Sequence, residues 1–216
     1  MNQNEITQKI KDVEVNSDEN GLISAFGVQL TKILGDYYLK ISEEFERKFA
    51  GEVNDPSVRE AAHNLLIEAG HVCGFNTFGG VMESDLWDGV VLPETEKKED
   101  WVVGMVGIIN LFGWGVYTIE ELSSEKLVLK IENSYEGDAY NRIYKDKALT
   151  PKCFLAVGAS ISLMSLVFHA DISQKPDLDD ILYQELFLHK KKFKGRETSC
   201  IAMGDSHCTV EISLNS

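Results

Sequence analysis

The chain has 216 residues, 44% hydrophobic and 26% charged, the proportions of a soluble globular protein. Its formal net charge of −14 repels nucleic-acid phosphate and anionic membrane surfaces, and its one basic cluster, His189–Lys190–Lys191–Lys192–Phe193–Lys194, reads as a solvated strand or loop. The first residues lack an apolar signal core, and four glycines and an asparagine interrupt the uncharged run from Trp101 to Ile119. A cytoplasmic protein is expected, with no direct nucleic-acid or membrane partner.

Residues 1–20 are polar and read as a partly disordered tail. Residues 21–55 read as a helical extension, because Leu22, Phe26, Leu30, Ile33, Leu34, Tyr37, Ile41, Phe45 and Phe49 recur mostly at three- and four-residue steps; Gly27 and Gly35 allow a break into two helices. Pro56 and Ser57 open a further helix over roughly 58–72, punctuated by Gly70 and Gly74. The stretch 75–92, with Phe75, Phe78, Met82 and Trp87 among glycines, reads as an aromatic-rich loop, either a pocket lid or plain packing. A charged start at 94–100 leads into a helix through Leu111.

The period then changes. Gly115–Leu122 and Lys126–Ile131 alternate, are rich in β-branched residues and are joined by a short turn, which predicts a β-hairpin. Residues 133–150 are polar, with Tyr135, Tyr140 and Tyr144 spaced along them. Pro151 suits a first helical position, and Phe154–Phe168 reads as a buried helix whose Gly158, Ala159 and Ser160 admit close approach of another element. Residues 171–180 form an acidic loop, and 181–193 fit helix or strand equally. Arg196–Met203 and Cys208–Leu214 flank Gly204–His207 as a second hairpin. Helices, hairpin, helix, hairpin, without βαβ alternation, predict an α+β domain: an antiparallel sheet with helices on one face.

Four cysteines in a cytoplasmic chain suggest metal or catalysis before disulfides. Cys200 and Cys208 lie symmetrically about Gly204, so a hairpin folded there sets them face to face, with Cβ atoms about 5 Å apart. Two thiolates that close need a cation or a bond between them, and zinc takes thiolates in a four-ligand site. Cys153 sits at a helix start, where the dipole favours thiolate. Glu197 lies three residues before Cys200, an offset that puts two side chains on opposite faces of a regular strand, so both can ligate only across a bulge or twist. Spacing alone leaves open a Cys200–Cys208 disulfide and a packing role for Cys153.

These segments resemble the 4-vinyl-reductase domain family, also called hydrocarbon-binding domains. The resemblance rests on GHVCG at 70–74, FGWGVYTIEEL at 112–122, IENSYEG at 131–137, PKCFLAVGASISL at 151–163 and ETSCIAMGDSHCTVEIS at 197–213. It implies a fold like that of a vesicle-tethering-complex subunit, a homodimer, and a domain over 56–216. In the family's aromatic-responsive sensors it also implies Zn2+ held at the positions of Cys153, Glu197, Cys200 and Cys208. Those sensors continue into an ATPase and a DNA-binding helix-turn-helix, so a chain of this length is expected to act through a separate partner. Where they carry a phenol-binding tryptophan this sequence has Ile131, which points away from phenol and toward another small hydrophobic or aromatic ligand.

Candidate lining residues for such a ligand are Phe75, Phe78, Trp87, Trp101, Met105, Phe112, Trp114 and Met164. His71 follows Glu68 by three residues, and the two could act together as acid and base on one helix face; a packed core histidine is the plainer reading. There is no GxSxG, P-loop, HExxH, or GxGxxG after a strand, so a nicotinamide- or flavin-dependent reductase lacks its usual fingerprint. The sequence therefore favours a zinc-stabilised binding or sensor protein. The alternative is an enzyme or enzyme accessory acting on a small ring compound or tetrapyrrole through His71, Glu68 or the zinc.

Overall fold

A computed structural model describes residues 2–11, 13, 15–50, 55–188 and 190–215. The expected boundary between extension and domain falls beside residues 51–54, and His189 of the basic cluster is likewise outside the described residues.

The polar N-terminus is not simply a tail. It contains a helix, α1 (Gln3–Ile10), capped by the Asn2 side chain on Asn4 N–H. Ile6 and Ile10, one turn apart, are buried, and two apolar residues at this spacing suffice to dock so short a helix. The start of the predicted extension is also different. Ile23–Ala25 (β1) and Val28–Leu30 (β2) form a hairpin whose two loop residues, Phe26 and Gly27, both take positive φ, 56° and 73°. The helical spacing of Leu22, Phe26 and Leu30 is coincidental; only α2 (Gly35–Ala50) follows the pattern.

The next helix, α3 (Pro56–Met82), runs through the predicted aromatic loop. Its glycines do not end it. A Cβ at Gly70 would lie 2.7 Å from the Leu155 carbonyl oxygen and one at Gly74 2.8 Å from Ala159 Cα, so these positions let α7 (Phe154–Phe168) approach almost to backbone contact. Gly158 of α7 answers them, facing Ile67 and His71. After α3 come α4 (Asp85–Val90) and α5 (Lys98–Ile109), against which α1 packs.

The predicted first hairpin is β3 (Val116–Leu122) and β4 (Lys126–Glu132). The polar stretch after it forms a helix, α6 (Tyr135–Tyr144), capped by Ser134. The ambiguous 181–193 region resolves into α8 (Asp180–Leu188) followed by β5 (Phe193–Ser199), which pairs with β6 (Cys208–Leu214). The sheet is antiparallel in the order β3–β4–β6–β5. One face, carrying Tyr117, Leu127, Leu129, Ile131, Val210 and Ile212, is buried, and α7 lies across its β5–β6 side. The other face carries ion pairs such as Lys126–Glu121 and Arg196–Glu211. The α+β fold with helices on one face is thus as the sequence indicated. Among the described residues no helix is long and apolar enough to cross a membrane.

Candidate metal centre

The strand β5 holds its register with β6 from Phe193↔Leu214 to Glu197↔Val210, then shifts by one residue, so that Ser199 pairs with Thr209. Thr198 is the extra residue of this bulge. Before it, Glu197 shares the face of buried Val210; after it, the next step of the register sets Cys200 opposite buried Cys208. The bulge therefore turns Glu197 and Cys200 inward together, resolving the offset that a regular strand forbids. Beyond Cys200 the chain makes a short 3-10 turn, Ile201–Met203, and reverses at Gly204, φ 102°. Asp205 fixes the turn by accepting Cys200 N–H at 2.8 Å.

Cys153, at the N-cap of α7, completes the group. Its sulfur is 3.3 Å from Cys208 Sγ, and one potential ligand atom from each of Cys153, Glu197, Cys200 and Cys208 falls within 4.8 Å of all the others. Glu197 Oε2 accepts Lys152 N–H at 3.0 Å and Cys153 N–H at 2.9 Å, while its Oε1 is buried without a partner. Ile201 N–H points at Cys208 Sγ, 3.4 Å away. Burial, with Cys200 beside it, pushes the Glu197 carboxyl up to about 7. Hydrogen bonds from Cys153 and then Cys208 pull Cys200 toward thiolate, and the same bond pushes Cys153 up. Three sulfurs, an orphaned carboxylate oxygen and a buried, mutually repelling set of acids are what a soft divalent cation would satisfy. The donor set fits zinc.

The eight residues expected to line a ligand pocket do not converge on one cavity. Phe78 and Trp114 do meet, walling a small void of about 10 Å³ with Ile109, Tyr117, Ala156, Ala159, Ser160 and Leu163. That is room for about one water. Phe112 backs Trp114, ring centroids 5.5 Å apart. Trp87 and Trp101 instead pack on each other, ring centroids 5.1 Å apart and planes tilted by 40°, Phe75 meets Tyr183 edge-on, and Met105 and Met164 are plain core. His71 does not pair with Glu68. It is buried, its ring lies 5.3 Å from that of Tyr183, its Nε2 has no partner, and desolvation lowers its pKa to about 4.

Sequence reasoning missed a second buried polar group beside the cysteines. Lys152 is 4% exposed; its Nζ donates to Glu43 and Glu46 of α2, each at 2.8 Å, and His63 Nε2 stands 3.1 Å from Glu46. It also missed Ser134 and Glu136, both buried at the start of α6. The run Ser134-Tyr135-Glu136 did carry the signal of a helix N-terminus, a capping residue followed by an acid.

This arrangement of strands and helices is a fold found in sensory domains and in trafficking-complex subunits. The phenol-responsive sensory domain of the transcription activator PoxR, solved with phenol, superposes with a TM-score of 0.67 at 13% identity, covering 97% of this chain and 89% of that one. Trafficking protein particle complex subunit 3 from Naegleria fowleri, covalently bound to palmitic acid, gives 0.52 at 9% identity over 84% of this chain and 95% of that one. A vinyl-4-reductase family protein from Methanocaldococcus jannaschii gives 0.46 at 14% identity over 87% and 85%. No family profile and no curated protein matches the sequence. The fold that the motif resemblance implied is the fold of the phenol-responsive sensory domain and of the trafficking-complex subunit.

Proposed function

We propose that this chain is a zinc-clipped binding domain for a small apolar or aromatic molecule, cytoplasmic and homodimeric, that passes its bound state to a separate partner. The observation that carries this reading is the double use of α7. Its N-cap, Cys153, belongs to the cysteine cluster, and its next residues, Ala156, Ala159, Ser160 and Leu163, form one wall of the void. A cation at the cluster would fix that wall to the terminal hairpin.

Cys153, Glu197, Cys200 and Cys208 would hold the zinc, and four protein ligands make a closed, structural site. Such a clip contributes on the order of 10 kcal/mol when the metal-free segment is disordered. The void is lined by aromatic and aliphatic groups with Ser160 among them, and Ile131, opposite Tyr117 in the β3–β4 register, keeps that side apolar. A ring compound larger than a water requires the void to open. Support also comes from the fold shared with a phenol-responsive sensory domain. The exposed apolar stripe of α2, Leu34 just before it with Tyr37, Ile41 and Phe49 along it, supports the homodimer.

Native mass spectrometry of chain purified without chelator, with a thermal-shift series in phenol and toluene, tests this. One zinc per chain, lost in Cys200→Ser, and a melting temperature that rises with either ring compound are the expected results. A metal-free chain with a Cys200–Cys208 disulfide would overturn the metal half, and a melting point indifferent to both compounds the ligand half.

A further inference from the structure

The first turn of α6 meets the cysteine cluster at Ser134 and Gly137, and the start of α7 at Glu136. Ser134 Oγ lies 3.2 Å from Cys153 Sγ. The same oxygen accepts Gly137 N–H at 3.3 Å, so its own proton is free to point at the sulfur. Glu136, wholly buried, spends both oxygens on α7: Oε1 accepts Leu155 N–H at 3.0 Å and Oε2 accepts Ala156 N–H at 3.1 Å. Gly137 leaves space for Cys208 Sγ, which a Cβ there would meet at 3.2 Å. The residue between, Tyr135, faces elsewhere: its ring lies 6.4 Å from that of Trp114 in the void wall and 5.9 Å from that of Tyr38 on α2.

From this geometry we infer that Ser134 and Glu136 are positioning residues of the metal centre, and that Tyr135 ties them to the void. The inference rests on the metal reading above. A buried thiolate needs hydrogen-bond donors, and partners outside the coordinating atoms set how a ligand is oriented and how much charge it keeps. Ser134 supplies one to Cys153, as Ile201 N–H does to Cys208. Glu136 works on the backbone. Glu197 holds the N–H groups of Lys152 and Cys153, Glu136 those of Leu155 and Ala156, so two carboxylates grip the turn that presents Cys153. Burying a carboxyl group is costly, and a smaller hydroxyl cap would end a helix as well. A side chain with two acceptor oxygens, each taking an α7 N–H, is accounted for if this turn must be held rigidly against the metal. Movement of Trp114 on ligand entry would press on Tyr135, and the residues on either side of Tyr135 are those that aim Cys153.

The test uses the full chain loaded with Co2+ as a spectroscopic stand-in, then with Zn2+ in competition with a chelator. Ser134→Ala is expected to shift the sulfur-to-cobalt charge-transfer band, and Ser134→Thr, which keeps the hydroxyl, to restore it. Glu136→Gln places an amide NH2 against a helix N–H and is expected to weaken zinc binding about 10- to 100-fold. Thr118→Ala, on the outer face of β3, is the control. Variants that match the unaltered chain in both band and affinity would overturn the inference while leaving the metal reading intact. If Glu136→Gln fails to fold, the Ser134 pair decides alone. A chain that takes up no cobalt would overturn the metal reading and this inference together.

Discussion

Replacing Gly158 by alanine sets local preference directly against tertiary packing. In a helix interior alanine is better than glycine by about 1 kcal/mol. Gly158 has no positive φ, so backbone conformation offers no objection. The objection is spatial: a Cβ there would lie 1.9 Å from the Ile67 carbonyl oxygen, 2.6 Å from His71 N and 2.8 Å from Gly70 C, all backbone atoms of α3. Ordinary contact begins at 3.4 Å, so the helices must separate by about 1.5 Å at their tightest crossing. A gap of 0.5–1 Å already forfeits roughly a quarter to a half of each dispersion contact along the interface. Overpacking of this kind costs about 1–3 kcal/mol, and rigid backbone on both sides puts it at the upper end. Net destabilisation of about 2 kcal/mol or more is expected in urea unfolding followed by circular dichroism. Gly89→Ala, exposed on α4 with nothing within 4 Å, should gain up to about 1 kcal/mol in the same assay. A Gly158→Ala chain as stable as the unaltered one would refute the claim that glycines in α3 and α7 exist for close approach.

Other outcomes follow from the buried charges. Lys152→Met leaves Glu43 and Glu46 without their cation and should cost about 3–5 kcal/mol; adding Glu46→Gln should recover part of that, and a double variant worse than the single would sink the account. Burial alone would raise the Glu46 carboxyl, but the His63 ring nitrogen 3.1 Å away and the hydrogen bond from the Lys152 ammonium outweigh it and hold the group at about 2, against an ordinary 4.5. A depressed acid stabilises the fold above its unfolded pKa, and that contribution is lost as pH falls from about 4.5 toward 2. It is worth about 3 kcal/mol, so the unaltered chain should lose stability more steeply than Glu46→Gln over that window; parallel pH profiles would count against it. Trp114→Ala should enlarge the void and raise the capacity for toluene while lowering stability by about 3–5 kcal/mol or somewhat less, since the ring is partly exposed; an unchanged toluene response would place the ligand elsewhere.

Besides Cys153 and Glu197, which a family resemblance joined to the cysteine pair, the sequence by itself determined the fold class, the two hairpins of the sheet, helix α7 and the facing of Cys200 and Cys208. Each rests on a local signal: alternation with period two, an unbroken apolar run, and symmetric cysteines about a turn glycine. Tertiary structure decided the rest, because the relevant contacts join residues far apart in the chain. Gly70 and Gly74 look like helix ends until α7 is set beside them. Phe26 fits a helical stripe until β1 and β2 close around it. Glu197 and Cys200 stand on opposite faces until Thr198 bulges out of register with β6. Lys152 is an ordinary lysine in sequence, and only the docking of α2 brings Glu43 and Glu46 to it. The aromatic residues behaved likewise: the sequence showed rings clustered among the glycines of 75–92, but packing alone placed Phe78 and Trp114 on a void and Trp87 and Trp101 in solid core. A side chain's type sets what it can bind, and the partners that long-range packing brings within 3 Å set which of those options is realised.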